Sequence, residues 1–267
     1  MKIKSNTMTW AAKLRATVLE KGGIALVVMV AWMATTCHAT LFSETFEPLN
    51  SGVTIGGQNG WIVDTGPGTN ALVLNNAAVA FEGEQYLSMR GIPGQTQLKR
   101  PFTGAAIDEV NSNFLFSFAL RYETGVDFGF KARFRTKDPS DDDMIGGFFD
   151  QNGNIKYFTN NGAATIDSGA DMLPDVWYQV SFRVLPSSQT YQFNVTSNGV
   201  CLFCGIVPFN QPATNLGIND IRLEVEGGDG AHWLVDNVSI TPEPSTGLLL
   251  LLGFAGIGAN LFRRRKN

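Results

Sequence analysis

The chain has 267 residues, 44% of them hydrophobic and 16% charged, with a formal net charge of −4. That length allows one large domain or two small ones. Its acidic balance opposes binding to phosphate backbones, so nucleic acid is set aside as a partner.

Cations open the chain at Lys2, Lys4, Lys13, Arg15 and Lys21, an apolar run follows from Gly22 to Met33, and Thr35-Thr-Cys-His-Ala39 comes next. A basic start, about a dozen apolar residues and a small residue before the cut describe a secretory signal peptide over residues 1–39. The apolar run is shorter than the about 20 residues that cross a bilayer. Cys37 follows Ala34-Thr35-Thr36, a poor lipoprotein box, and is expected to leave with the signal.

The folded domain is then expected over residues 40–241, roughly 200 residues, the size of one β-sandwich. Five Lys/Arg and Glu20 fall in the signal, four Lys/Arg and Glu243 in the tail, which leaves 11 cations against 22 anions, a net charge near −11.

Within it the apolar residues recur every second position. Phe114, Phe116, Phe118, Leu120 and Tyr122 alternate with Leu115, Ser117, Ala119 and Arg121, and Val126 to Phe134 repeats the rhythm. Tyr178, Val180, Phe182 and Val184 form a third row, which Pro186-Ser-Ser-Gln189 joins to Tyr191, Phe193 and Val195 as a hairpin. Ile221, Leu223 and Val225 oppose Arg222, Glu224 and Glu226 in a later strand. Such alternation gives one face to a core and the other to water, the mark of antiparallel strands. Breaks come at Gly56-Gly57, Asn75-Asn76, Gly146-Gly147, Asn160-Asn-Gly162 and Gly227-Gly-Asp-Gly230. The fold class is therefore all-β, an antiparallel β-sandwich of jelly-roll or concanavalin-like type.

From Thr241 the text changes. Pro242-Glu243-Pro244 is followed by the uncharged stretch Gly247 to Phe262 and by Arg263, Arg264, Arg265 and Lys266. Prolines lack the amide proton that a strand ladder needs. The 16 uncharged residues would span about 24 Å as a transmembrane helix, and the basic cluster favours the cytoplasmic side. These three parts, in this order over residues 242–267, resemble the PEP-CTERM sorting signal of exported Gram-negative proteins. The resemblance implies processing by an exosortase, a membrane transpeptidase-like enzyme, and a link to extracellular polysaccharide and biofilm surfaces. Its topology is a domain outside, a tail in the membrane and cations inside, with the cell surface or extracellular space as destination.

The domain's ends carry a second resemblance. Ser43-Glu-Thr-Phe-Glu47 with the later Gly60-Trp61, and the closing Trp233-Leu-Val-Asp-Asn-Val-Ser-Ile240, resemble the ends of carbohydrate-binding jelly-roll modules. Val176-Trp177-Tyr178 and its hairpin resemble laminin-G or concanavalin-type sandwiches equally well. In modules of the first kind, carboxylates at the positions of Glu47 and Asp236 help hold a structural calcium. Six to eight oxygens satisfy that ion, and carboxylates from first and last strands would staple the ends together.

Other clusters have plainer readings. Asp138-Pro-Ser-Asp-Asp-Asp143 reads as a solvated loop and Asp150-Gln-Asn-Gly-Asn154 as a hairpin turn. Cys201 and Cys204, the cysteines left after signal removal, are expected to form a short-range disulfide outside the cytosol. Trp61, Trp177 and Trp233 either fill the core or form a sugar-stacking platform.

No catalytic residue is assigned. His232 is the domain's single histidine, and no Gly-x-Ser-x-Gly elbow presents a serine. Glu82/Glu84 and Glu224/Glu226 come nearest to the paired carboxylates of a glycosidase, each pair on one face of a strand, without the central Asp. The expectation is a non-catalytic surface or matrix protein that binds polysaccharide. A glycan-active hydrolase and a purely structural surface protein are the alternatives.

Overall fold

The computed structural model describes residues 42–91, 94–101, 113–126, 129–136, 143–159, 164–209, 218–226 and 232–243. The expected signal peptide, Pro244, the tail helix, the Arg263–Lys266 cluster and all but Asp143 of the acidic run lie outside them. Among the described residues no helix is long and apolar enough to cross a membrane. Residues Thr40–Pro242 form one compact unit.

Among the described residues it has fifteen strands: β1 (Phe42–Glu44), β2 (Ile62–Thr65), β3 (Ala71–Asn75), β4 (Gln85–Met89), β5 (Gln95–Pro101), β6 (Phe114–Tyr122), β7 (Phe130–Thr136), β8 (Asp143–Phe149), β9 (Asn154–Thr159), β10 (Ala164–Asp171), β11 (Tyr178–Leu185), β12 (Thr190–Ser197), β13 (Val200–Pro208), β14 (Ile218–Glu226) and β15 (Trp233–Pro242). They form two antiparallel sheets. The first runs β13-β12-β11-β6-β15-β4-β3, with β1 also on β15, and the second runs β10-β9-β8-β7-β14-β5-β2.

The alternating rows do what their period requires. Phe116, Phe118 and Leu120 of β6, Val180 and Phe182 of β11, and Phe193 and Val195 of β12 are all buried against residues such as Leu223 and Val225 of β14. Phe182 and Phe193 stack at 4.7 Å. Trp233 of the first sheet meets Phe130 of the second at 5.5 Å, which knits the two layers.

Gly146-Gly147, expected as a break, lies inside β8 and pairs with Arg133 and Ala132 of β7. Two boundaries also differ from expectation. The strand expected from Val126 begins at Phe130, because Glu123–Val126 closes a turn (Val126 N–H to the Glu123 carbonyl, 3.2 Å) with Gly125 at φ 89. The strand expected through Glu47 stops at Glu44, because Phe46 takes φ 64 and leaves the ladder.

One glycine is fixed by packing. A Cβ on Gly147 of β8 would stand 2.9 Å from Phe193 Cζ and 3.2 Å from Phe182 Cζ, inside the packed core. Overpacking of this kind costs about 2 kcal/mol. Gly147→Ala is therefore expected to lower the melting temperature by roughly 4–8 °C, read by circular dichroism.

Candidate functional site

The outward face of the first sheet is where unusual chemistry gathers. Register sets Ser239 (β15) beside Ser117 (β6), Ser117 beside Ser181 (β11), and Ser181 beside Asn194 (β12). A parallel row runs Ala119–Gln179–Thr196. Small polar side chains thus line up across four strands. The Ser117 and Ser239 hydroxyls share a hydrogen bond of 2.9 Å, and Asn194 Nδ2 donates to Ser181 Oγ at 3.3 Å. Short side chains leave a hollow of about 390 Å³ above them, lined by Ser117, Ser181, Ser239, Gln179, Thr196, Asn237 and Phe81 among others.

Aromatic rings wall it. A second hollow of about 350 Å³ shares Phe81, Gln179 and Thr196 with the first and continues to Trp177, Ser197 and Asn198. Phe81 and Trp177 meet edge to face at 5.7 Å. Trp177 is tied down through its Nε1–H to the Val79 carbonyl (2.8 Å), and its own carbonyl accepts from Ser197 Oγ. Trp61 and Trp233 are fully buried in the core. The three tryptophans thus divide: two pack the core and Trp177 lines the groove.

The turn that carries Phe81 is held by two carboxylates, Glu47 from the turn after β1 and Asp236 from within β15. Asp236 Oδ2 accepts the N–H groups of Phe81 (3.1 Å) and Glu82 (3.3 Å), while its Oδ1 accepts that of Asn237 (2.7 Å). Glu47 Oε1 accepts the N–H groups of Glu84 (2.7 Å) and Gln85 (2.8 Å). Burial, with the charge of Glu47 adding to it, pushes the Asp236 carboxyl up to about 6 despite its three N–H donors. Two amide oxygens nearby, Gln85 Oε1 and Asn237 Oδ1, are buried without a partner. Asn194 Oδ1, at the end of the polar row, is a third.

Cys201 and Cys204 are joined by a disulfide within β13, their Cα atoms 6.2 Å apart. They lie opposite Thr196 and Asn194, so the bridge borders the groove on the sheet's edge strand. Asp150 closes the β8–β9 turn by accepting from the Asn152 and Asn154 N–H groups.

Of the carboxylate pairs considered for hydrolysis, one lies off any strand and the other is on one strand face but with Glu224 covered. Glu82 and Glu84 sit in the turn before β4, around Gly83 at φ 71, with Glu82 accepting from Asn237 Nδ2. Glu224 is fully buried, although its strand face is the outer one of the second sheet. Arg133, Lys131 and Gln97 Nε2 (2.8 Å) close over it, and Glu226 pairs with the same Lys131.

His232 has a neighbourhood that the sequence did not reveal. Its Nδ1 lies 2.9 Å from Ser88 Oγ and 3.8 Å from Glu123 Oε2. Both partners address one ring nitrogen, whereas a serine triad needs the nucleophile and the acid on opposite nitrogens. Ser88 is also 3% exposed, out of reach of a substrate. Burial lowers the imidazole's proton affinity, Arg90 adds to this, and His232 stays neutral near pH 7.

This geometry defines a class, an all-β sandwich of the lectin-like kind with a polar groove on one sheet. A β-glucanase catalytic domain from Podospora anserina superposes with TM-score 0.51 at 13% identity, over 78% of this chain and 97% of that one. Peanut lectin gives 0.50 at 13% identity, over 77% and 97%. A sialidase gives 0.52 at 15% identity over 79% of this chain, which spans 18% of the sialidase's length. Identities this low establish the fold alone. Residues 241–266 match the PEP-CTERM protein-sorting motif, so the chain carries that signal at its C-terminal end. No curated protein matches the sequence.

The carboxylate clasp makes a contrast testable. Asp236→Ala strands three N–H donors and is expected to cost about 3 kcal/mol, roughly 6–12 °C in melting temperature. Glu82→Ala, exposed at the turn's surface, should stay within about 0.5 kcal/mol.

Proposed function

We propose that this protein is an exported, non-catalytic glycan-binding component of the cell surface or its matrix. The groove of hydroxyl and amide side chains with an aromatic wall carries the reading. Sugars offer hydroxyls to such groups and apolar ring faces to tryptophan and phenylalanine. In this reading the signal peptide over residues 1–39 directs export of the 40–241 domain. The tail then holds the chain in the membrane through Gly247–Phe262, with Arg263, Arg264, Arg265 and Lys266 inside, until an exosortase acts near Pro242, Glu243 and Pro244.

Two observations favour binding over hydrolysis. Glu224 is held by two cations and an amide under its neighbours, where it has no access to a glycosidic bond. Glu82 and Glu84 lie on a turn whose backbone is held by Glu47 and Asp236, not on a strand aiming both at one bond. Affinity electrophoresis against a panel of polysaccharides, with reducing-end assays alongside, tests this. Retention by at least one glycan is expected without release of reducing ends, and Trp177→Ala should weaken it about 3- to 10-fold. Release of reducing ends that disappears in Glu82→Gln or Glu224→Gln would establish a hydrolase instead, and retention on no glycan would leave a purely structural surface protein.

Calcium at Glu47 and Asp236 belongs to the same proposal. Asp236 is fully buried and has no ion-pair partner among the described residues. Gln85 Oε1, buried without a partner beside Glu47, is an oxygen of the kind such an ion takes. Among the described residues no group of three or more His, Cys, Asp or Glu is arranged for a metal. The ion would thus draw on amide and carbonyl oxygens as well, and would staple β15 to the turns after β1 and before β4. Calcium at about 100 times its Kd is expected to add about 2.7 kcal/mol to stability, roughly 5–10 °C, in the wild type and not in Glu47→Gln or Asp236→Asn. An equal melting temperature in calcium and in chelator would remove the ion from the account.

A further inference from the structure

We infer that the groove takes an uncharged polysaccharide, bound along its chain across the two adjoining hollows; this rests on the glycan reading above. Among the described residues, no side chain lining either hollow carries a charge. That is informative in a domain with 22 anions against 11 cations. A uronate polymer would approach against the field of an acidic domain and find no cation in the groove to offset its desolvation. The cations on the same sheet face are spoken for: Arg121 is bonded to Asp175 at 3.2 Å, and Arg183, opposite Leu115 in register, is already engaged by another group. An aminated polymer is drawn towards an acidic domain but finds no carboxylate lining either hollow. Asp236 is fully buried with its oxygens turned to backbone N–H groups.

What the groove does offer suits hydroxyl groups. Ser117, Ser181 and Ser239 can each donate or accept. Gln179 and Thr196 line both hollows and add an amide and a hydroxyl that can do the same. The two hollows meet on the shared residues Phe81, Gln179 and Thr196. Neighbouring sugar units can thus occupy one hollow each, with Gln179 reaching both and Trp177 bordering the second.

Isothermal titration of the full-length protein in detergent tests this. The probes are neutral glucan, galactan and mannan oligomers, an alginate oligomer and a chitosan oligomer, each at about 50 mM and about 500 mM NaCl. A neutral ligand's affinity should change less than about twofold with salt, because no charge pair is there to be screened. Ser117→Trp, which fills the first hollow, should reduce that affinity at least about tenfold. Gln179→Ala, a smaller change on an exposed side chain, should weaken it several-fold with the fold intact by circular dichroism.

Binding of alginate or chitosan that falls about tenfold with salt and is lost in both variants would overturn the uncharged class while leaving the glycan reading standing. Binding of a neutral glycan that neither variant alters would overturn the groove as its site. Binding of no probe by the folded protein would overturn both readings.

Discussion

The register of four strands, β15, β6, β11 and β12, is the constraint on which the site depends. Each must turn one face to the core, and each pays with large residues there: Ile240, Phe116, Phe182 and Phe193 on adjacent strands are all buried. The face left over follows without further choice. Because side chains alternate and strands pair in fixed register, Ser239, Ser117, Ser181 and Asn194 must fall into one outward row. A slip of one residue in any of them would send large apolar side chains to water and break the row together. The same packing that stabilises the sandwich therefore aligns the groove floor.

One strand is shared by more partners than the others. β15 pairs with β6 along most of its length, with β4 through Trp233–Val235 and with β1 through Val238–Ile240. Between those two stretches its register shifts, and Asn237 adopts φ 48. A bulge of this sort lets consecutive side chains share one face, which regular alternation forbids. Asp236 lies beneath the turn that carries Phe81, and Asn237 beside it lines the groove. The irregularity of β15 thus supplies both the clasp under the aromatic wall and a polar group beside it, which a regular strand could not do with consecutive residues.

Much of this was legible in the sequence, and the losses have physical causes. The rows Phe114–Tyr122, Tyr178–Val184 and Tyr191–Val195 announced their strands because period two is a local property. Alternation also separates the tryptophans: with Tyr178, Val180 and Phe182 inward, Trp177 must point outward, and with Val235 inward Trp233 goes to the core. The serine row was not legible, because it depends on which strands become neighbours. β6 lies between β11 and β15, partners more than 50 residues away in the chain. Glu224 was misleading for a related reason. Alternation correctly sends it outward, but Arg133, Lys131 and Gln97 come from strands on both sides to cover it, and only the three-dimensional order reveals that cover. The pairing of Ser88 with His232 spans 144 residues and was hidden in the same way.

The sorting motif begins at residue 241, within the last two residues of β15. No spacer separates the sandwich's central strand from the signal. The change is made by Pro242, which closes the ladder opposite Phe114 and cannot donate the N–H that another rung would need. Every strand of both sheets is complete before Glu243. A cut after that point would remove no rung, core residue or groove residue that is among the described residues. A cut a few residues earlier would take Ile240 from the core and Ser239 from the groove floor. Among the described residues the ladder of β15 thus ends at Pro242, inside the stretch that matches the sorting motif.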